Sequence, residues 1–107
     1  MTEAATPIQI SDMMPFAGLI GIELIEVRPE VVRGRLQWAP ERCTAGGVMH
    51  GGALMALADS CGATCAFLNL PDGASGTATI ESKTNFLRAV REGSVRRRRA
   101  RCMLDAR

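Results

Sequence analysis

The sequence predicts an α+β domain in which one long helix lies across an antiparallel sheet. Three stretches predict it. Residues 51–68 are apolar at helical spacing, residues 20–38 read as two strands around a Pro29-Glu30 turn, and residues 76–87 supply a further β-branched run. The 107 residues suffice for one small domain, and a 47% hydrophobic composition argues against a disordered chain.

The hairpin is justified by its alternation. Val32, Gly34, Leu36 and Trp38 share one face of residues 31–38, while Arg33, Arg35 and Gln37 share the other. One face is therefore packed and one is wet. In residues 20–28 the alternation slips around Leu24-Ile25, which predicts a bulge. Upstream, Ser11 can cap a short helix through Met13, Met14, Phe16 and Ala17, which Pro15 keeps brief.

Residues 40–47 form a loop, and the long helix starts at Gly51 or Gly52. Asn69, Pro71, Asp72 and Gly73 end it near Leu68. Leu54, Leu57, Ala58, Cys61, Cys65 and Leu68 make one stripe, and the opposite face is also uncharged. A helix apolar all round is expected to be wrapped by protein. At about 27 Å it matches a strand of about eight residues. Glycines and an acid interrupt it, which argues against a membrane span.

Four cysteines stand at positions 43, 61, 65 and 102, without a Cys-x-x-Cys pair and with one histidine in the chain. Buried free thiols are expected, not a metal site. Free thiols, and an N-terminus without a basic or long apolar segment, predict a cytoplasmic protein.

The net charge of +2 is unevenly distributed. Residues 1–95 carry seven basic and ten acidic side chains, whereas residues 96–107 carry six Arg and one Asp. The alternation stops there, and residues 94–107 are expected to be an aberrant Arg-rich tail after an incomplete sheet with an exposed edge. A truncated or shifted reading frame accounts for it. An arginine-rich arm for nucleic acid is the competing reading, disfavoured because no aromatic stacking platform accompanies it.

Between Arg42 and Asp72 the one formal charge is Asp59, inside the apolar helix. A carboxylate in such an element needs a partner, a raised pKa or a chemical role. His50, the sole histidine, precedes Gly51-Gly52. A helix start exposes backbone N–H groups, and glycine permits close approach, so it can hold an anion or polarise a carbonyl. An acid further along can activate water or attack an acyl carbon. The plainer alternative is an aspartate bonded to a neighbouring hydroxyl or amide.

The run from Gly47 through His50-Gly51-Gly52 to Asp59-Ser60 resembles the signature of the PaaI-type acyl-CoA thioesterases of the hotdog superfamily. Their motif is HGG, six residues, then Asp. The likeness extends to Pro15–Ile22 and to Asn85–Val90, covering roughly residues 10–93 in the family's order. It implies a hotdog fold, with the long helix wrapped by the sheet and the C-terminal strands missing here. It divides the chain into a loose arm (1–9), the domain (10–93) and the tail (94–107).

The resemblance also implies hydrolysis of acyl-CoA or aryl-acyl-CoA thioesters by a homodimer or homotetramer with sites across the dimer interface. Coenzyme A enters as part of the substrate, and no cofactor, membrane or nucleic acid is implied. Asp59 would be nucleophile or general base. The Gly51 N–H would polarise the carbonyl, with Gly52 beside the substrate, and His50 would orient the site or the leaving sulfur. Thr79 would position water, although it also suits a plain β-strand. Thr44 stands where many relatives have Asn, and its hydroxyl lacks the amide's paired donor and acceptor. Arg88 would meet the coenzyme A phosphates; Lys83 reads better as a solvated strand residue. A non-catalytic acyl-CoA-binding subunit of the same fold is the alternative.

Overall fold

The computed structural model describes residues 12–76 and 88–97. Its elements, in chain order, are α1 (Pro15–Leu19), β1 (Glu23–Arg28), β2 (Val31–Gln37), α2 (Gly51–Leu68) and β3 (Ser94–Arg97). Short 3-10 turns at Pro40–Arg42 and Ala45–Gly47 connect β2 to α2. The three strands form one antiparallel sheet in the order β1-β2-β3.

Pro15 opens α1 instead of limiting it. At the first helical position proline loses no hydrogen bond and its φ is already helical. The proposed cap Ser11 lies outside the described residues. Gly21, with φ +86°, turns the chain from α1 into β1, a conformation that disfavours any residue with a Cβ.

The hairpin follows the alternation. Val32, Gly34 and Leu36 are buried, Arg33 and Gln37 are exposed, and Arg35 is half-buried. The expected bulge is present: Leu24 pairs with Gly34 and Glu26 with Arg33, so Ile25 is the extra residue. On the wet face, the Arg35 guanidinium donates two hydrogen bonds of 3.1 Å to its cross-strand partner Glu23. That hydrogen bonding, followed by the Coulomb attraction of Glu23, raises the Arg35 pKa above its ordinary value. Arg33 pairs with Glu26 at 2.9 Å.

The third strand of this sheet is Ser94–Arg97, contrary to the expectation that residues 94–107 hold no strand. Val95 pairs with Leu36 and packs against the core, and Ser94 pairs with Gln37. The backbone ladder of β2 recruits this segment without needing a run of alternating apolar residues, since ladder bonds are made by main-chain groups. The strand predicted over residues 76–87 lies, beyond Gly76, outside the described residues.

Leu57, Cys61 and Cys65 of the predicted stripe are buried, and they meet Ile22, Leu24, Val32 and Leu36 of the sheet. Leu54 and Ala58 are half-buried and Leu68 is exposed. Ser60 and Thr64 are buried as well; the Thr64 hydroxyl donates to the Ser60 carbonyl at 2.8 Å, which satisfies it within the helix. The helix was expected to be covered all round. Among the described residues it is covered on the sheet side, and Phe67 on another face is 54% exposed. Gly34 is what brings α2 close. A Cβ there would stand 2.5 Å from Cys61 Sγ and 3.0 Å from Leu57 Cδ1. Cys43 is half-buried, and Cys61 and Cys65 are buried.

Candidate active site

The start of α2 is built by His50. With extended backbone angles (φ −62°, ψ 132°) it is the N-cap, and its Nδ1 accepts a 2.7 Å hydrogen bond from the Gly52 N–H. Accepting through Nδ1 leaves Nε2 as the ring's donor. The His50 carbonyl accepts from the N–H groups of Ala53 and Leu54. Among the described residues no acceptor takes the Gly51 N–H. A bound carbonyl oxygen can therefore use that donor, reinforced by the positive end of an 18-residue helix.

Neighbouring segments fix this end in space. The His50 N–H donates to the Arg42 carbonyl at 2.7 Å, and the Met49 N–H donates to the Val90 carbonyl at 2.8 Å. Cys43 and Met49 form an antiparallel bridge, closed by the Thr44 N–H on the Val48 carbonyl at 2.8 Å. Beside the cap lies an open cleft of about 620 Å³. Phe16, Leu19, Ile20 and Ala53 give it an apolar side, and Glu41, Arg42, Cys43, His50 and Gly52 complete it. Phe16 and Leu19 are 64% and 81% exposed, so the single chain carries an uncovered apolar lip.

The structure thus brings His50, Gly51 and Gly52 together at one helix end, with His50 and Gly52 on the cleft. Asp59 is on the same helix and solvent-exposed, where the sequence suggested a carboxylate enclosed by apolar neighbours. It stands eight residues beyond Gly51, about 12 Å along the axis. Thr44 is exposed and does not line the cleft; its side chain makes no capping bond. Arg88 is exposed on the segment leading to Val90. Thr79 lies outside the described residues. Among the described residues no group of three or more His, Cys, Asp or Glu is placed to hold a metal.

Sequence reasoning did not identify Phe16, Leu19, Arg42 or Cys43 as neighbours of the helix start. The available signal was the five-residue α1, whose apolar side chains are too many for so short a helix to bury on one side.

Residues 46–103 match the family model of the thioesterase superfamily. Among curated proteins, the putative esterase Rv1847 of Mycobacterium tuberculosis is 27% identical over 92 residues, covering 84% of this chain and 66% of the relative. The solved structure of that esterase superposes with a TM-score of 0.72 at 28% identity, over 78% of this chain and 67% of that one. The conserved protein PA5202 from Pseudomonas aeruginosa gives 0.70 at 30% identity, covering 84% and 71% of the two chains. The thioesterase HI1161 from Haemophilus influenzae gives 0.71 at 26% identity, covering 82% and 60%. The chain therefore spans 66% of the length of the curated relatives it matches. From the matched segment and the superposed helix and sheet together, the chain belongs to the thioesterase superfamily and has its hotdog fold.

Proposed function

We propose that the protein is a thioesterase that hydrolyses acyl-CoA or aryl-acyl-CoA thioesters to the free acid and coenzyme A. The observation that carries this reading is the His50-capped start of α2. There the Gly52 N–H is already bonded to His50, while the Gly51 N–H has no acceptor among the described residues, beside a cleft with an apolar side. The thioester carbonyl oxygen accepts from the Gly51 N–H, and the acyl group lies toward Phe16, Leu19 and Ile20. As the carbonyl carbon becomes tetrahedral its oxygen gains negative charge, which that donor and the helix dipole stabilise.

Asp59 supplies the other half of the reaction. As a general base it takes a proton from water, whose oxygen bonds to the acyl carbon; the C–S bond then breaks and the departing thiolate takes a proton. As a nucleophile its oxygen bonds to that carbon first, the C–S bond breaks and the departing thiolate takes a proton, and water then cleaves the resulting anhydride to the free acid and the aspartate. The roughly 12 Å between Gly51 and Asp59 along α2 exceeds what one aspartate side chain spans. That separation supports a site made by two copies of the chain, the Gly51 of one facing the Asp59 of the other. A homodimer, alone or paired into a tetramer, is thus part of the proposal, as is a cytoplasmic location. Arg88, exposed, is the proposed contact for coenzyme A phosphates. Thr79 is the proposed water-positioning hydroxyl.

One observation favours a non-catalytic acyl-CoA-binding subunit instead. Thr44, exposed and away from the cleft, offers the thioester no amide. Assay of the purified chain with benzoyl- and phenylacetyl-CoA separates the readings. Turnover abolished in Asp59→Asn supports the enzyme; binding without turnover in the unaltered chain supports the subunit.

A further inference from the structure

Arg42 holds three segments that converge on the helix start. Its Nε–H donates to the Ile20 carbonyl, at the end of α1. Its Nη1 donates to the Gln37 carbonyl, at the end of β2, at 3.1 Å. Its own carbonyl accepts the His50 N–H at 2.7 Å. His50 in turn caps Gly52 through Nδ1. One residue therefore ties the turn after α1, the end of β2 and the N-cap of α2 into a single bonded unit.

The fold is shaped around this guanidinium. A Cβ on Gly21 would overlap Arg42 Nη2 and stand 2.9 Å from Cζ. Gly21 is glycine for its positive φ, and the missing Cβ leaves the room that the planar group occupies. A flat guanidinium with its donors in a fixed fork can bond two carbonyls on different segments at once, whereas an ammonium is a point donor. The pairing is to neutral carbonyls, so what Arg42 supplies here is direction: it sets where α2 begins relative to the apolar side of the cleft.

We propose that Arg42 is a positioning residue, locked by Gly21, that holds the His50–Gly52 end of α2 against the α1 turn. For catalysis this rests on the thioesterase reading; for the placement of the helix end it does not. The geometry predicts that removing the fork loosens His50 and Gly52 without loosening β1 and β2, because the ladders among the described strands do not use the Arg42 side chain.

The test is amide hydrogen exchange of the full chain, read at His50 and Gly52, in Arg42→Met, Arg42→Lys and Gly21→Ala. Arg33→Met, which removes an exposed ion pair on the far face, is the control. Arg42→Met should speed both amides by about tenfold or more over the control, with the β1 and β2 amides unchanged. Gly21→Ala should do the same by displacing the guanidinium, and combining it with Arg42→Met should add little. Arg42→Lys, the variant least disruptive to folding, should fall between. Exchange at His50 and Gly52 within about twofold of the control in both Arg42 variants would overturn the proposal.

Turnover gives the second readout. Arg42→Met should lower kcat by about tenfold or more while leaving KM nearly unchanged, because it misplaces the reacting carbonyl's donor. A raised KM with unchanged exchange would make Arg42 a substrate-binding cation and sink the positioning role. An exchange response in a chain without thioester turnover would keep Arg42's placement and remove the thioesterase reading. Turnover without an exchange response would do the reverse.

Discussion

Gly34 of β2 lies directly beneath Cys61 of α2, so close that a Cβ on the glycine would stand 2.5 Å from the cysteine sulfur. Both residues are fully packed, and the sheet and helix touch through them. Gly34→Ala must push α2 away from β2 or force Cys61 and Leu57 into poorer rotamers. It should cost about 1–3 kcal/mol, measured by denaturant unfolding. Cys61→Ala in the same chain should recover part of that loss. A loss in the double variant equal to the sum of the two single losses would mean that the two residues do not bear on each other.

Gly51 offers a way to delete one donor and little else. It is the first helical residue, and His50 before it already has the extended backbone that a following proline prefers. Gly51→Pro removes the N–H while α2 still starts where it does. Thioester turnover should fall by about a hundredfold to a thousandfold, with the helical signal in circular dichroism retained. Turnover surviving in a folded Gly51→Pro would exclude this N–H as the carbonyl's donor.

Asp59 is exposed in the single chain, so its replacement should be nearly neutral for folding. Asp59→Asn is expected to shift stability by no more than about 0.5 kcal/mol while eliminating turnover. If one site uses two chains, mixing Asp59→Asn with Gly51→Pro subunits should restore activity that neither has alone. Each mixed dimer then holds one site with both groups intact. Mixing that restores nothing, despite subunit exchange shown by mass spectrometry, would place both groups in one chain's site.

His50 caps α2 through its side chain, and His50→Ala should lose about 0.5–2 kcal/mol of stability. Asparagine carries a carbonyl oxygen that can take the same Gly52 N–H, so His50→Asn should recover most of that loss in thermal unfolding. If turnover returns together with the cap, His50 acts by holding the helix start. If stability returns and turnover does not, the imidazole itself takes part.

The Glu23–Arg35 pair tests the hairpin's wet face. Because ionised Glu23 raises the Arg35 pKa, the contribution of that cation is complete at neutral pH and is lost only as pH rises above the ordinary arginine range. Arg35 should therefore add no slope to stability from neutral pH up to the arginine range. Glu23→Gln should weaken the protein slightly at low ionic strength, and high salt should shrink the difference because the pair is partly exposed.

The hairpin, its bulge at Ile25, the span of α2 and the His50-Gly51-Gly52 start were legible in the sequence because each is written by neighbours in the chain. Strand alternation, helical spacing and glycine pairs act over a few residues, and their geometry follows from backbone stereochemistry. The motif from His50 to Asp59 likewise pointed to a family because its parts lie on one helix. What the tertiary structure alone decided involves residues distant in sequence. The recruitment of Ser94–Arg97 as a strand depended on the free ladder of β2, which no pattern within those residues announces. The exposure of Asp59 depended on which face of α2 the sheet covers. The meeting of Arg42 with Ile20, Gly21 and Gln37 joined three segments through main-chain carbonyls, whose bonds leave no signature in side-chain identity.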